Sequence, residues 1–140
     1  MIRVVVDTGV FVSALINRGG SPPDQVMDQW IAGRIQVIAS PRLLAEVEEV
    51  VHRVKFRRWF DEATAAQLVQ RLRLDAVLHD DPPDGGLRTR DPKDDYLLAL
   101  AQATGADAVV SGDGDLGEAD QGVVAVWTPR ELVERVAGSS

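Results

Sequence analysis

Carboxylate side chains recur along this chain where a predicted strand ends or a predicted helix begins. Asp7 ends the first apolar run, Glu46 lies one turn into a predicted helix, and Asp95 opens another helix. Asp113 and Asp115 follow a later apolar run. Because a parallel α/β sheet gathers the carboxyl ends of its strands along one edge, we expect these acids to meet there. Acids gathered without matching cations repel one another unless a divalent metal neutralises them, which points to metal-dependent phosphodiester chemistry.

Two short β-branched runs predict the strands that carry the first and last of these acids. Residues 2–6, Ile-Arg-Val-Val-Val, are too few for a helix and apolar enough for a buried central strand. Residues 108–111, Ala-Val-Val-Ser, form a similar run, and the glycines at 112 and 114 allow a tight turn after it. Further strands are predicted at 36–39, 76–79 and 123–127.

Capping residues mark the helices predicted between these strands. Ser40 and Pro41 begin the helix that carries Glu46, and Asp61 caps the next one. Helices are predicted at 8–18, 23–32, 41–53, 61–74, 92–105 and from 128 onward, whereas 54–60 is ambiguous and 80–90 is a Pro/Gly-rich loop. This alternation predicts a single α/β domain over residues 1–140 with right-handed crossovers.

Length and composition agree with one compact enzyme domain. A chain of 140 residues with 45 % hydrophobic residues can bury a sizeable core, so disorder is not expected. No apolar run is long enough to span a bilayer, and the first residues lack the layout of a signal peptide, so we expect a cytoplasmic protein. The absence of cysteine leaves oxygen atoms as the main metal ligands, which favours magnesium or manganese over zinc.

The net charge of −7 argues at first against a nucleic-acid partner. Its distribution weakens that objection, because residues 52–73 carry six basic side chains against two acidic ones. A basic arm beside an acidic metal cleft suits RNA binding followed by metal-assisted cleavage. A solvated helix face whose arginines pair locally is the competing interpretation. The candidates for RNA or partner contact are Arg53, Lys55, Arg57 and Arg58.

Taken together, the motifs resemble the PIN domain. They are Asp-Thr-Gly-Val at 7–10, Glu46 after a Ser-Pro helix start, Asp-Pro-Lys-Asp-Asp-Tyr-Leu-Leu-Ala-Leu-Ala at 91–101 and Ser-Gly-Asp-Gly-Asp-Leu at 111–116. The likeness is strongest to small bacterial PIN proteins of the VapC kind, which are toxins of toxin–antitoxin pairs. Gly9 departs from the pattern, since PIN proteins usually carry Asn there, and Ser111 stands where Thr is commoner.

This resemblance implies an endoribonuclease that needs Mg²⁺ or Mn²⁺, built as a three-layer α/β/α fold around a mostly parallel sheet of about five strands. Water activated by the metal would hydrolyse the RNA, with Glu46 orienting or deprotonating it. Thr8 and Ser111 would position a phosphate or a ligating carboxylate. A homodimer and a cognate antitoxin protein are the implied partners. The acids that match the family's catalytic and metal-binding set are Asp7, Glu46, Asp95 and Asp113, with Asp115 as a further candidate ligand.

The acids also have ordinary structural explanations. Asp7 could cap the following helix, Glu46 could be one more exposed acid beside Glu48 and Glu49, and acids between glycines are common in turns. Their agreement with one family's order of acids favours a site. No catalytic role is expected for His52 or His79.

Three other classes of protein compete with the nuclease as interpretations of this sequence. A haloacid-dehalogenase domain would need an acid where this chain has Gly9, and a receiver domain would need a Lys after a late strand, yet the only lysines are Lys55 and Lys93. A non-catalytic RNA- or protein-binding module on the same fold stays open as the alternative.

Overall fold

The computed structural model describes residues 1–83, 95–112 and 124–138 of the chain. Within these ranges the strands are β1 (Ile2–Val6), β2 (Ile35–Ala39), β3 (Val77–Leu78), β4 (Ala108–Val110) and β5 (Val126–Trp127). The helices are α1 (Thr8–Ile16), α2 (Pro22–Ile31), α3 (Pro41–Val51), α4 (Glu62–Asp75), α5 (Asp95–Thr104) and α6 (Pro129–Gly138), with a 3₁₀ turn at Val54–Phe56. Two predicted site residues, Asp113 and Asp115, lie outside the described ranges.

The strands form one sheet in the order β3-β2-β1-β4-β5, and every described pair is parallel. β1 lies at the centre, where Val4 is in register with Val37 of β2 and with Ala108 of β4. Val4 to Val6 are completely buried, as expected for a strand covered on both faces. The predicted central strand at 2–6 is therefore confirmed.

The connections between strands place helices on both faces of this sheet. From β1 the chain passes through α1 and α2 to β2, then through α3 and α4 to β3, always moving away from the centre. α5 then leads back across to β4 and packs against β1 and β4. Right-handed crossovers in opposite directions put their helices on opposite faces. The predicted three-layer α/β/α fold is confirmed, with a fully parallel sheet.

Apolar residues from the sheet and the helices fill both layers between them. α5 lies deep in the core, because every residue from Tyr96 to Ala101 is buried. Phe11 of α1 packs against Trp30 of α2, with ring centroids 6.3 Å apart. This packing sets the positions of α1 and α5 against the sheet. It therefore also sets the positions of the residues in their first turns. In the part of the chain that the structure describes, no helix has the length and apolar character needed to cross a membrane.

Several predicted boundaries change in the structure, and the ambiguous stretch after α3 is resolved. α1 ends at Ile16 rather than at residue 18, because Asn17 leaves the helical conformation and Ser21 donates its hydroxyl hydrogen to the Asn17 carbonyl oxygen. The strand predicted at 123–127 begins outside the described residues, and of the described residues 124–127 β5 covers 126–127. The ambiguous stretch after α3 folds as a short 3₁₀ turn, where the rings of Phe56 and Phe60 stack at 5.8 Å.

Candidate functional site

The carboxyl ends of β1 and β4 form the point where the strand order reverses, which is where parallel α/β sheets bind ligands. Asp7 follows β1 and Ser111 follows β4 at this point. The Asp7 amide donates to the Val110 carbonyl oxygen at 2.9 Å, which extends the sheet by one bond. The buried Ser111 hydroxyl donates to the Asp7 carboxylate at 3.1 Å. Two predicted site residues therefore touch across the switch point.

Glu46 reaches the same edge from α3, which begins directly after β2. Ser40 caps this helix, since its hydroxyl oxygen accepts from the Leu43 amide at 3.3 Å. One carboxylate oxygen of Glu46, Oε2, accepts hydrogen bonds from the Thr8 hydroxyl and, at 2.8 Å, from the Tyr96 hydroxyl. Residues from α1, α3 and α5 thus converge on one carboxylate.

The three glutamates of α3 have different partners. Glu48 pairs with Arg73 of α4, and Glu49 pairs with Arg53 at 2.8 Å. Glu46 contacts hydroxyl groups instead, and among the residues that the structure describes no cationic group lies within ion-pair distance of it. Glu46 is therefore not interchangeable with the exposed acids beside it. Neutral hydroxyl donors orient its carboxylate.

Tyr96 is a site residue that the sequence analysis missed. Only 7 % of its surface is exposed, and its ring lies 4.2 Å from the guanidinium carbon of Arg42. Burial, followed by the negative charge of Glu46, raises the pKa of Tyr96 far above the ordinary value, so its hydroxyl stays a donor. A signal was present in the sequence, because Tyr96 is a polar ring between Asp95 and a run of Leu and Ala residues.

Asp7 has a structural role as well as a place in the site. Its carboxylate caps α1 by accepting from the Gly9 amide at 3.4 Å, a long hydrogen bond. Gly9 is exposed and has no left-handed backbone conformation, and a Cβ atom added to it would lie 3.8 Å from the carboxylate. The site therefore has room for a side chain at position 9.

Of the remaining predicted acids, the structure describes only Asp95, and only its backbone. Asp95 is the first residue of α5 and directly precedes Tyr96, so its backbone lies at the edge that holds Glu46. Asp113 and Asp115 lie outside the described ranges. Within those ranges no group of three acidic or histidine side chains is close enough to hold a metal ion. The group that the described residues do form is Asp7 and Glu46 with the hydroxyls of Thr8, Tyr96 and Ser111.

This donor set fits magnesium or manganese. Both ions prefer carboxylate oxygens, and Asp7 and Glu46 supply them at the switch point. Each carboxylate is held by a neutral hydroxyl on one side, an arrangement that orients metal ligands in proteins.

The four basic candidates lie at the other end of α3, beyond its last turn. Arg53 pairs with Glu49, and Arg57 lies 3.3 Å from Glu62 and donates to the Val51 carbonyl oxygen. These two arginines pair locally. Lys55 lies 5.2 Å from the centre of the Phe56 ring, and Arg58 lies 4.9 Å from the centre of the Trp59 ring. The structure therefore divides the predicted contact residues into two paired and two stacked side chains.

The side chains of the two histidines have partners other than Glu46. His52 meets Glu62 at 2.5 Å, near Arg57. The ring of His79 is 2.7 Å from the Asp80 carbonyl oxygen.

Comparison with known proteins agrees with this fold. A family model described as the PIN domain matches residues 3–115. The uncharacterized protein MJ1680 of Methanocaldococcus jannaschii is 28 % identical over 115 residues, which are 82 % of this chain and 73 % of that protein.

Two solved structures share the fold. VapBC2 from Rickettsia felis, bound to a DNA fragment from its promoter, is 12 % identical with a TM-score of 0.62, covering 91 % of this chain and 98 % of the other. VapC20 from Mycobacterium tuberculosis, a toxin that cleaves the sarcin–ricin loop, is 21 % identical with a TM-score of 0.54, covering 81 % of this chain and 92 % of the other.

Proposed function

Because this chain belongs to the PIN-domain family, we propose that it is a metal-dependent endoribonuclease and the toxin of a toxin–antitoxin pair. The observation that carries the proposal is the pair of carboxylates, Asp7 and Glu46, held by neutral hydroxyls at the switch point of a parallel sheet. Carboxylates that neutral donors orient at this edge of the sheet suit the binding of an external divalent cation.

When bound, Mg²⁺ or Mn²⁺ would activate a water molecule for attack on the phosphodiester and offset charge on the phosphate. Asp7, Glu46, Asp95 and Asp113 would hold the ion, with Asp115 as an additional ligand.

The residues around the two carboxylates have defined positioning roles in this proposal. Thr8 and Tyr96 hold Oε2 of Glu46, and no described residue donates to Oε1, which leaves that oxygen to face the ion or the water. Ser111 holds Asp7 from β4. Because these hydroxyls hold the carboxylates in defined orientations, little reorganisation would be needed during the reaction. Ser111 is buried and donates its hydroxyl hydrogen to Asp7, so its proposed role is to position Asp7 and not to act as a nucleophile.

The proposed partners are RNA, an antitoxin and a second copy of the chain. The proposed location is the cytoplasm. VapC20 supports a structured RNA as the first substrate class to test, because that toxin cleaves the sarcin–ricin loop. VapBC2 supports an antitoxin, since it is a two-protein assembly with a similar fold. Lys55 and Arg58 remain the candidates for partner or RNA contact among the four basic residues, because neither has an ion-pair partner in the described part of the chain.

Cleavage of a pool of structured RNAs, with Mg²⁺, with Mn²⁺ and with a chelator, tests the proposal. The key variant is Glu46→Gln, and Glu49→Gln is its matched control on the same helix. We expect metal-dependent cleavage by the wild type, a loss of at least about a hundredfold in Glu46→Gln and little change in Glu49→Gln. RNA binding without cleavage in any metal would instead identify a non-catalytic binding module and refute the nuclease.

A further inference from the structure

Arg42 and Glu46 have the spacing of a helical ion pair but do not form one. Elsewhere in the described chain this spacing produces pairs, since Arg53 meets Glu49 at 2.8 Å and Arg71 meets Asp75 at 2.9 Å. Glu46 is instead held by hydroxyls, and the Arg42 guanidinium lies over the Tyr96 ring. Among the described residues, no carboxylate forms an ion pair with the Arg42 guanidinium. An exposed cation therefore lies close to Glu46, on the ring of Tyr96, without pairing with it.

Tyr96 separates this cation from the carboxylate. Its hydroxyl contacts Glu46 at 2.8 Å, whereas its ring contacts Arg42 at 4.2 Å. Stacking on an aromatic face orients a guanidinium and leaves its N–H groups at the edge available to an anion.

The backbone amides at the start of α3 are already occupied. Ser40 accepts from the Leu43 amide, and Asp81 accepts from the Arg42 amide at 2.9 Å. An anion that approaches this corner would therefore meet the Arg42 side chain rather than the helix N-terminus.

We propose that Arg42 binds a phosphate of the RNA backbone next to the phosphate that is cleaved. This inference rests on the proposed function. The carboxylates of Asp7 and Glu46 repel a polyanion, so substrate binding needs a cation at their rim that does not replace the metal. A guanidinium can form two parallel hydrogen bonds with one phosphate, which sets the register of the strand as well as its affinity.

The test measures the affinity of a labelled single-stranded RNA at two salt concentrations in chelator, so that no cleavage occurs. Arg42→Gln should weaken binding about tenfold and lower the log–log salt slope by about 0.7. Arg42→Lys, which keeps the charge without the planar fork, should fall between Arg42→Gln and the wild type.

Arg34→Gln is the matched control for charge. Arg34 is exposed, directly precedes β2 at the other edge of the sheet and bonds to Gln29 at 3.2 Å. We expect its RNA affinity to stay within about twofold of the wild type. If Arg42→Gln and Arg34→Gln lose RNA affinity equally, the change in net charge alone explains the loss. That result would overturn the inference.

Cleavage by the wild type separates this inference from the proposed function. If the wild type cleaves RNA and Arg42→Gln binds RNA as tightly as the wild type, the phosphate contact is wrong and the nuclease stands. If Arg42→Gln keeps the RNA affinity of the wild type but is no longer inhibited by an antitoxin, Arg42 belongs to a protein interface. That result would also overturn the inference. A wild type that neither binds nor cleaves RNA would overturn both.

Discussion

Negative charge is held in different ways along helix α3 and just beyond it. At the middle of the helix, Glu46 is held by neutral hydroxyls and has no cationic partner among the described residues. Beyond the C-terminus of the helix, Glu62 meets His52 at 2.5 Å and Arg57 at 3.3 Å. Of these two acids, only Glu62 therefore has cationic partners in the part of the chain that the structure describes.

From this contrast we propose that the kind of partner, rather than the number of acids, indicates which carboxylates bind an external ion. A carboxylate paired with Arg or His has its charge compensated and contributes to the fold. A carboxylate held by hydroxyls is oriented but still negative, so it gains from a bound cation. The predictions below test this difference.

The largest expected effect comes from Asp7→Asn. Asn caps a helix about as well as Asp, and the change removes one of two neighbouring negative charges. We therefore expect an unchanged or raised melting temperature in chelator, with cleavage reduced at least about a hundredfold. Asp75→Asn is the control, because Arg71 already pairs with Asp75, and cleavage should be unaffected. A clear fall in the melting temperature of Asp7→Asn would show that Asp7 is mainly structural.

Tyr96→Phe should have the next largest effect. It keeps the ring under Arg42 but removes the hydroxyl that donates to Glu46. Loss of a residue that orients a metal ligand typically costs about 10- to 100-fold in metal affinity, and we expect a decrease in this range. Calorimetric titration with Mn²⁺ measures it. Manganese affinity equal to that of the wild type would show that Thr8 alone orients Glu46.

The capping signals in the sequence predicted much of this fold. Asp61 caps α4 by accepting from the Thr64 amide at 2.8 Å, and Thr128 and Glu131 accept from each other's amides at the start of α6. Such signals are local, because each depends on residues three positions apart. For the same reason the β-branched runs predicted the central strands.

The contacts inside the site could not be predicted in this way. The hydrogen bond from Tyr96 to Glu46 joins residues 50 positions apart and depends on how α5 crosses the sheet. Whether Arg57 pairs locally or faces a partner depends on the turn at Val54–Phe56, which the sequence left ambiguous. Local patterns name the candidate residues, but tertiary packing decides their partners.

At the other end of α3, Arg57→Met should affect stability and leave catalysis unchanged. Arg57 is largely buried, donates to the Val51 carbonyl oxygen and lies 5.1 Å from the centre of the Phe60 ring. We expect the free energy of unfolding to fall by about 1–2 kcal/mol. Arg58→Met, the neighbouring control on an exposed side chain, should change it by less than about 0.5 kcal/mol. Urea denaturation measures both, and a loss of cleavage in Arg57→Met would link this end to the site.

Gly9→Asn is expected to have the smallest effect and tests how completely the hydroxyls orient the carboxylates. A side chain fits at this helical position, since an added Cβ would lie in ordinary contact with the Asp7 carboxylate at 3.8 Å. Replacing Gly in a helix should raise the free energy of unfolding by about 0.5 kcal/mol. An Asn amide could also donate to Asp7, so we expect cleavage to rise by up to about threefold.

Gly9→Ala separates the two contributions of this substitution, because it removes the flexibility of glycine without adding a donor. Its stability should rise as in Gly9→Asn, while its cleavage rate should stay at the wild-type value. Thermal melts and initial rates of both variants give the answer. If Asn and Ala accelerate cleavage equally, a more rigid first turn of α1 is the cause. If neither changes the rate, the Ser111 hydroxyl and the Gly9 amide already hold Asp7 as well as the reaction requires.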